Sequence, residues 1–154
     1  MTKVIFIGAT GTDIGKTYVT CLLLRQLREQ GYRVQAIKPI ISGFDENNIP
    51  ASDTGQLLSA MGQDTTLENA RKISPWRYEA PLPPHQLAEA SGSPLELDQL
   101  TCFCQEQAIE PLDYLLIEGV GGIMAPINYQ QTTLDLIKKL DCQLLLVTGS
   151  MLGT

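Results

Sequence analysis

Residues 4–17 read V-I-F-I-G-A-T-G-T-D-I-G-K-T: an apolar run, a glycine-bearing polar turn, and a Gly15-Lys16-Thr17 that opens a helix-like segment. The order is strand, loop, helix. Successive backbone N–H groups in such a loop form an anion-binding nest, and the helix N-terminus adds partial positive charge. Lys16 is placed to reach the outer phosphates of a nucleotide, and the Thr17 hydroxyl to ligate Mg²⁺. The strict phosphate-loop pattern wants a glycine five positions before Gly15, where this chain has Thr10. Glycines stand instead at Gly8 and Gly11, so a longer or differently shaped loop is expected.

Working outward, the next segments repeat the logic of a parallel sheet. Lys3 to Ile7 reads as a buried strand. Lys16 to Gln30 reads as a helix with Val19, Leu22, Leu23 and Leu27 on a wide apolar face, closed by Gly31 at the C′ position. Arg33 to Lys38 is a second strand, so the first two strands are expected to lie parallel in one sheet. A polar loop covers Phe44 to Ser52, and Asp53 to Met61 is helical, closed by Gly62. Residues 75–84 hold Pro75, Pro81, Pro83 and Pro84, too many for regular structure, and read as an ordered loop or lid. Gln86 to Ala90 is a short helix. Ser93-Pro94-Leu95-Glu96 reads as a helix start with Ser93 as cap, running to about Ala108. Asp113 to Glu118 and Cys142 to Val147 are further strands, with a helix over Thr133 to Leu140 between them.

The length suits one domain, 1–154, with a proper core. The fold class implied is α/β: a mostly parallel sheet flanked by helices, of the P-loop NTPase kind. No helix follows the last strand, so the sequence reads as the N-terminal portion of a longer domain that lacks its C-terminal part. Eleven basic residues against 17 acidic ones give a net charge of −6, which argues against nucleic-acid and membrane partners. The N-terminus has no signal-peptide pattern, and a cytoplasmic location is the expectation. Cys21, Cys102, Cys104 and Cys142 lack metal or redox spacing and read as reduced, mostly buried thiols.

Open parallel sheets bind ligands at the carboxyl ends of their strands. The phosphate loop, Lys38 with Ser42, Glu118 with its glycine turn (Gly119, Gly121, Gly122), and the loop from Gly149 should therefore converge on one crevice. Glu118, ending the apolar run Tyr114 to Ile117, is placed as an acidic Mg²⁺ ligand. Lys38 would be a second cation for charge developing on a phosphoryl group or its acceptor. Asp53 starts a helix and reads equally as an N-cap or a metal ligand. Asp13, an acid inside a phosphate loop, requires a cation and hints at a positively charged substrate. His85 reads as structural and Trp76 as packing.

Gly-Thr-Asp-Ile-Gly-Lys-Thr (11–17), Lys-Pro-Ile-Ile-Ser-Gly (38–43), Ser-Asp (52–53) and Glu-Gly-Val-Gly-Gly (118–122), in this order, closely resemble the dethiobiotin synthetase family. The likeness extends over Ala80-Pro81 to His85 and the terminal Met-Leu-Gly-Thr. It implies a homodimer that uses ATP as co-substrate and Mg²⁺ as cofactor. The family reaction inserts CO₂ (or bicarbonate carbon) between the two amines of 7,8-diaminononanoate, through a carbamate and a carbamic–phosphoric anhydride, giving ADP and phosphate. By the same resemblance Lys38 and Lys16 are catalytic. Asp13, Ile14, Gly15, Lys16, Thr17, Tyr18, Asp53, Glu118, Gly119, Val120 and Gly121 bind the nucleotide and its metal. Thr17, Asp53 and Glu118 match the metal ligands. Thr12, Asp13, Ser42, Leu152, Gly153 and Thr154 match substrate contacts. Ala9 stands where the family usually has glycine, and an altered loop shape, compensated by Gly11, is expected.

Two other readings of the same loop class stay open from the sequence: a partitioning-type switch ATPase and a cobyrinate amidase-like ATP-dependent ligase. The former typically carries an extra lysine early in the loop, which Ala9-Thr10-Gly11 lacks. The latter needs a glutaminase domain with a nucleophilic cysteine, which is absent from this chain.

Overall fold

A computed structural model describes residues 1–108 and 111–150. Its main sheet has four parallel strands: β1 (Lys3–Ala9), β2 (Val34–Ile37), β5 (Tyr114–Glu118) and β6 (Gln143–Val147), in the order β2-β5-β1-β6. A second, two-stranded parallel sheet pairs β3 (Ile40–Ser42) with β4 (Trp76–Tyr78). The first crossover runs through α1 (Lys16–Glu29) and leaves a gap of one strand, which β5 fills.

Side chains alternate across a strand, and the register tells which face each one takes. Phe6 pairs with Ile117, and both line a small apolar space with Leu136 of α6 (Thr133–Leu140). Glu118, one residue on, faces the other way, where Thr17 of α1 meets it. Helices thus flank the sheet on both faces. The core is a continuous cluster that includes Phe6, Leu24, Ile37, Leu57, Leu58, Leu100, Leu115, Leu116 and Ile117, all essentially without solvent exposure.

The helix α1 ends as its glycine implies. Gly31 takes φ 86°, its N–H donates to Arg28 O, and Tyr32 N–H donates to Leu27 O. Gly62, at φ 71°, closes α2 (Asp53–Ala60) in the same way, with Gln63 N–H on Leu58 O.

Several local expectations are corrected. Residues 75–84 are not wholly irregular, because Trp76–Tyr78 forms β4. Its partner is the stretch after Lys38-Pro39, and Trp76 N–H donates to Pro39 O at 3.1 Å. Ser93 is not a helix cap. Leu95 is buried and its carbonyl accepts from Asn128 Nδ2 at 3.0 Å, which keeps this stretch non-helical, so α5 begins later and spans Leu97–Gln107. The loop from Phe44 to Ser52 is polar only in part: Phe44 and Ile49 are buried, and Ile49–Ala51 makes a turn of 3₁₀ helix. An additional helix, α3, occupies Leu67–Ile73, and α4 (Pro84–Ala90) starts on its proline rather than at Gln86. Trp76 packs edge-on against Phe103, as expected of a packing residue. All four cysteines are free, but Cys102 is exposed rather than buried. No helix among the described residues is long and apolar enough to cross a membrane.

Candidate active site

Parallel register builds the centre of the site. Ile37 of β2 is paired with Ile117 of β5, so the next residue on each strand, Lys38 and Glu118, emerges side by side. Lys38 Nζ donates to Glu118 Oε1 at 2.7 Å and lies 3.1 Å from Asp53 Oδ2. Thr17 Oγ1 donates to the same Glu118 Oε1 at 2.7 Å. Lys38 and Glu118 are 3% and 1% exposed, so neither is the solvated surface charge that its sequence neighbourhood allows. Burial alone would push the Lys38 ammonium below its ordinary pKa. The charges and hydrogen bonds of Glu118 and Asp53 more than offset this, and the pKa is raised.

Asp53 is not the cap of α2. Ser52 is the N-cap, with its Oγ accepting from Gly55 N–H at 3.0 Å, and Asp53 is the first helical residue. The backbone donor that Asp53 could have satisfied already has a partner. Its carboxylate is left facing Lys38 and is partly open to solvent, at 42% side-chain exposure.

The phosphate loop takes positive φ at two positions, of which only Asp13 carries a side chain. Asp13 adopts φ 57° and Gly15, at the N-cap of α1, φ 102°. The altered shape expected from Ala9 does not arise at Ala9. It is the buried last residue of β1 and does not have positive φ, so its Cβ causes no backbone strain. Lys16 Nζ folds back over the loop and donates to Gly11 O at 3.1 Å. Burial, and next the nearby charge of Lys38, lower the Lys16 pKa.

These elements enclose a cavity of about 330 Å³. Its walls are Thr12, Asp13, Gly15, Lys16, Thr17, Tyr18, Lys38, Ile41, Ser42, Asp53, Val120 and Gly121. Of the residues singled out in the sequence, Glu118 and Gly119 do not line this cavity and instead border the small apolar space beside Phe6. Ile14 is half-buried and does not line the cavity. Leu152, Gly153 and Thr154 lie outside the described residues. A Cβ on Gly119 would sit 2.9 Å from Phe6 Cε1, so the turn after β5 can pass this close only as glycine.

A second cavity, also about 330 Å³, adjoins the first and shares Thr12, Ser42, Val120 and Gly121 with it. Its other walls are Pro81, Leu82, Pro83 and Pro84 on one side and Gly122, Ala125 and Pro126 on the other. Sequence reasoning treated the prolines only as a loop or lid and overlooked Ala125 and Pro126. The run of prolines was the available signal, since it makes a stiff, apolar wall with few backbone donors.

The donor set suits a hard divalent cation. Glu118 Oε2 is buried and has no hydrogen-bond partner among the described residues, which is costly unless something binds there. The Thr17 hydroxyl and the Asp53 carboxylate complete an all-oxygen set of the kind Mg²⁺ takes.

A family model described as an AAA domain matches residues 3–154. The ATP-dependent dethiobiotin synthetase BioD of Caulobacter sp. (strain K31) is 44% identical over 151 residues, covering 97% of this chain and 64% of that protein. The protein of the same name from Caulobacter vibrioides (strain NA1000 / CB15N) is 43% identical over 153 residues, covering 99% of this chain and 68% of its own length. Its namesake from Legionella pneumophila (strain Lens) is 36% identical over 150 residues, covering 96% and 66%. The chain thus spans about two thirds of the length of these relatives. With this likeness running from the phosphate loop through the turn after Glu118, the chain belongs to the dethiobiotin synthetase family.

Proposed function

We propose that the protein catalyses the ATP- and Mg²⁺-dependent closure of CO₂ onto 7,8-diaminononanoate to give the ureido ring of dethiobiotin, with ADP and phosphate as co-products. The observation that carries this reading is the position of Lys38. A buried cation held by two carboxylates stands in the wall of the phosphate-loop cavity, and an apolar cavity adjoins that one.

In this reading one substrate amine attacks CO₂, forms an N–C bond and loses a proton, giving a carbamate. A carbamate oxygen displaces ADP from the γ-phosphorus. The second amine then attacks the carbamoyl carbon, breaks its bond to the phosphate oxygen, releases phosphate together with a proton from the amine nitrogen, and closes the ring. The oxygen nucleophile is modest, so positioning and charge neutralisation carry the catalysis. Lys16 leaves Gly11 O and turns to the β- and γ-phosphates, while the loop N–H groups and the α1 N-terminus hold the phosphate oxygens. Lys38 holds the carbamate oxygen. Asp13 faces an amine. Ser42, at the end of β3, and Thr12 sit where the two cavities meet and orient the diamine end. The apolar cavity takes the alkyl chain. Thr17, Asp53 and Glu118 would hold Mg²⁺, which supplies charge neutralisation at the phosphates. The protein acts as a cytoplasmic homodimer in this reading, with Leu152, Gly153 and Thr154 assigned to substrate by the family resemblance alone.

The test is phosphate release from ATP with Mg²⁺ and bicarbonate, with and without 7,8-diaminononanoate, on the full-length protein and on Lys38→Ala. Release that needs the diamine and collapses in the variant supports the reading. Release indifferent to the diamine sinks it in favour of a switch ATPase.

A further inference from the structure

The apolar cavity has two walls built from separate, stiff pieces of chain. One wall, Pro81 to Pro84, runs directly into α4, whose first turn is closed by Gln86 and Leu87 N–H groups on Pro83 O. The other, Ala125 and Pro126, runs into a tight turn over 126–132. That turn is rigid: Pro126 bridges Thr132, Ile127 N–H donates to Gln131 O at 2.8 Å, and Asn128 Oδ1 accepts from Gln130 and Gln131 N–H at 2.9 Å.

Tyr129, at the tip of that turn, reaches back to α4. Its ring stands edge-on to His85 with centroids 5.9 Å apart at 86°. The Glu89 carboxylate, one helical turn beyond His85, lies near enough to the Tyr129 hydroxyl to raise its pKa. His85 Nδ1 is buried and has no hydrogen-bond partner among the described residues, so packing on Tyr129, rather than a bond through Nδ1, orients the ring. Tyr129 itself is 74% exposed, which its own burial does not explain. None of the three lines either cavity.

We propose that Tyr129, packed edge-on against His85, is a positioning residue that fixes the spacing of the two apolar walls and thereby sets which alkyl-chain length of diamino acid the site accepts. This rests on the functional reading above. Because each wall is rigid within itself, their separation is decided by the contacts between the pieces that carry them. Tyr129 supplies an aromatic contact there. Asn128 supplies a second tie, its Nδ2 donating at 3.0 Å to Leu95 O, in the stretch that joins α4 to α5. Apolar pockets discriminate single methylenes only when the wall cannot yield.

The test uses full-length protein, wild type and Tyr129→Ala, with 7,8-diaminononanoate and its homologues one methylene shorter and longer. In Tyr129→Ala the KM for the diamine is expected to rise about tenfold, with kcat and the KM for ATP within about twofold. The preference among chain lengths is expected to narrow to less than about threefold. Tyr129→Phe, which keeps the ring on His85, should recover most of the selectivity. Unchanged KM and unchanged chain-length preference in Tyr129→Ala overturn the proposal, as does an equal fall in every kinetic parameter. Amide hydrogen exchange, read without substrate, separates the clamp from the reaction. Exchange over 81–90 and 126–132 should rise together in Tyr129→Ala, and unaltered exchange overturns the clamp. A wild-type protein that releases no phosphate in response to the diamine sinks the functional reading, and exchange alone then decides whether Tyr129 joins the walls.

Discussion

Lys38 Nζ lies 2.7 Å from Glu118 Oε1 although 80 residues separate the two in the chain. The contact exists because β5 is inserted between β1 and β2, in a register that pairs Ile37 with Ile117. Burying two charges is expensive, and a buried pair often contributes no net stability compared with apolar residues of similar size. Function is the better account of its presence.

That argument predicts a dissociation between stability and activity. Lys38→Met strands the buried Glu118 carboxylate and should destabilise by about 3–5 kcal/mol, read by urea denaturation, whereas Glu118→Met leaves Lys38 the Asp53 carboxylate and should cost less. The double variant Lys38→Met/Glu118→Met should regain most of the Lys38→Met loss yet release no phosphate. A double variant as unstable as Lys38→Met would show that the pair is chiefly structural.

Gly55 positions Asp53 through the backbone. A Cβ there would overlap Ile49 O and come within 2.7 Å of the Ile49 carbonyl carbon and 2.9 Å of Pro50 Cα. These are backbone atoms of the 3₁₀ turn and cannot swing aside. Gly55→Ala should push α2 off that turn, cost about 1–3 kcal/mol by thermal melting, and weaken Mg²⁺·ATP binding through Asp53. Wild-type melting in the variant would mean that the turn yields easily.

Asp113 joins the starts of β2 and β5. Its Oδ2 accepts from Arg33 N–H at 2.8 Å and its Oδ1 from Arg33 NH2 at 3.1 Å. The Arg33 hydrogen bonds pull its pKa from 3.8 down to about 2. A depressed carboxylate pKa adds stability above its unfolded value, and the contribution is lost as pH falls through the folded value. Wild type should therefore lose stability relative to Asp113→Asn as pH drops from about 4 toward 2, with the difference constant from pH 5 to 7. A pH-independent difference would remove Asp113 from the acid response.

Thiol labelling should separate the cysteines. Burial raises Cys104 to about 12, and it is almost wholly shielded, whereas Cys102 is exposed. Iodoacetamide at pH 8 should modify Cys102 in the native protein and leave Cys104 untouched until denaturant is added. Native labelling of Cys104 at a comparable rate would indicate local opening of α5.

The chain's local chemistry was legible without coordinates wherever a residue and its neighbours decide the outcome. Apolar runs marked β1, β5 and β6, Gly31 and Gly62 marked helix ends, and Gly15-Lys16-Thr17 marked a helix opening on a phosphate loop. The rule that parallel strands gather ligands at their carboxyl ends also brought Lys38, Ser42 and the Val120-Gly121 turn to the phosphate-loop cavity. Pairings between distant segments were not legible. A three-residue strand such as Trp76–Tyr78 has too little pattern of its own and exists because Ile40–Ser42 lies beside it. Whether Asp53 caps its helix or faces Lys38 depends on Ser52 taking the cap. The meeting of His85 with Tyr129 has no trace in either local sequence. Backbone conformation near a glycine or proline is set by sterics within a few residues. Strand order, burial of a charge and the contact of two loops are set by the free energy of packing the whole chain, and only the tertiary structure decides them.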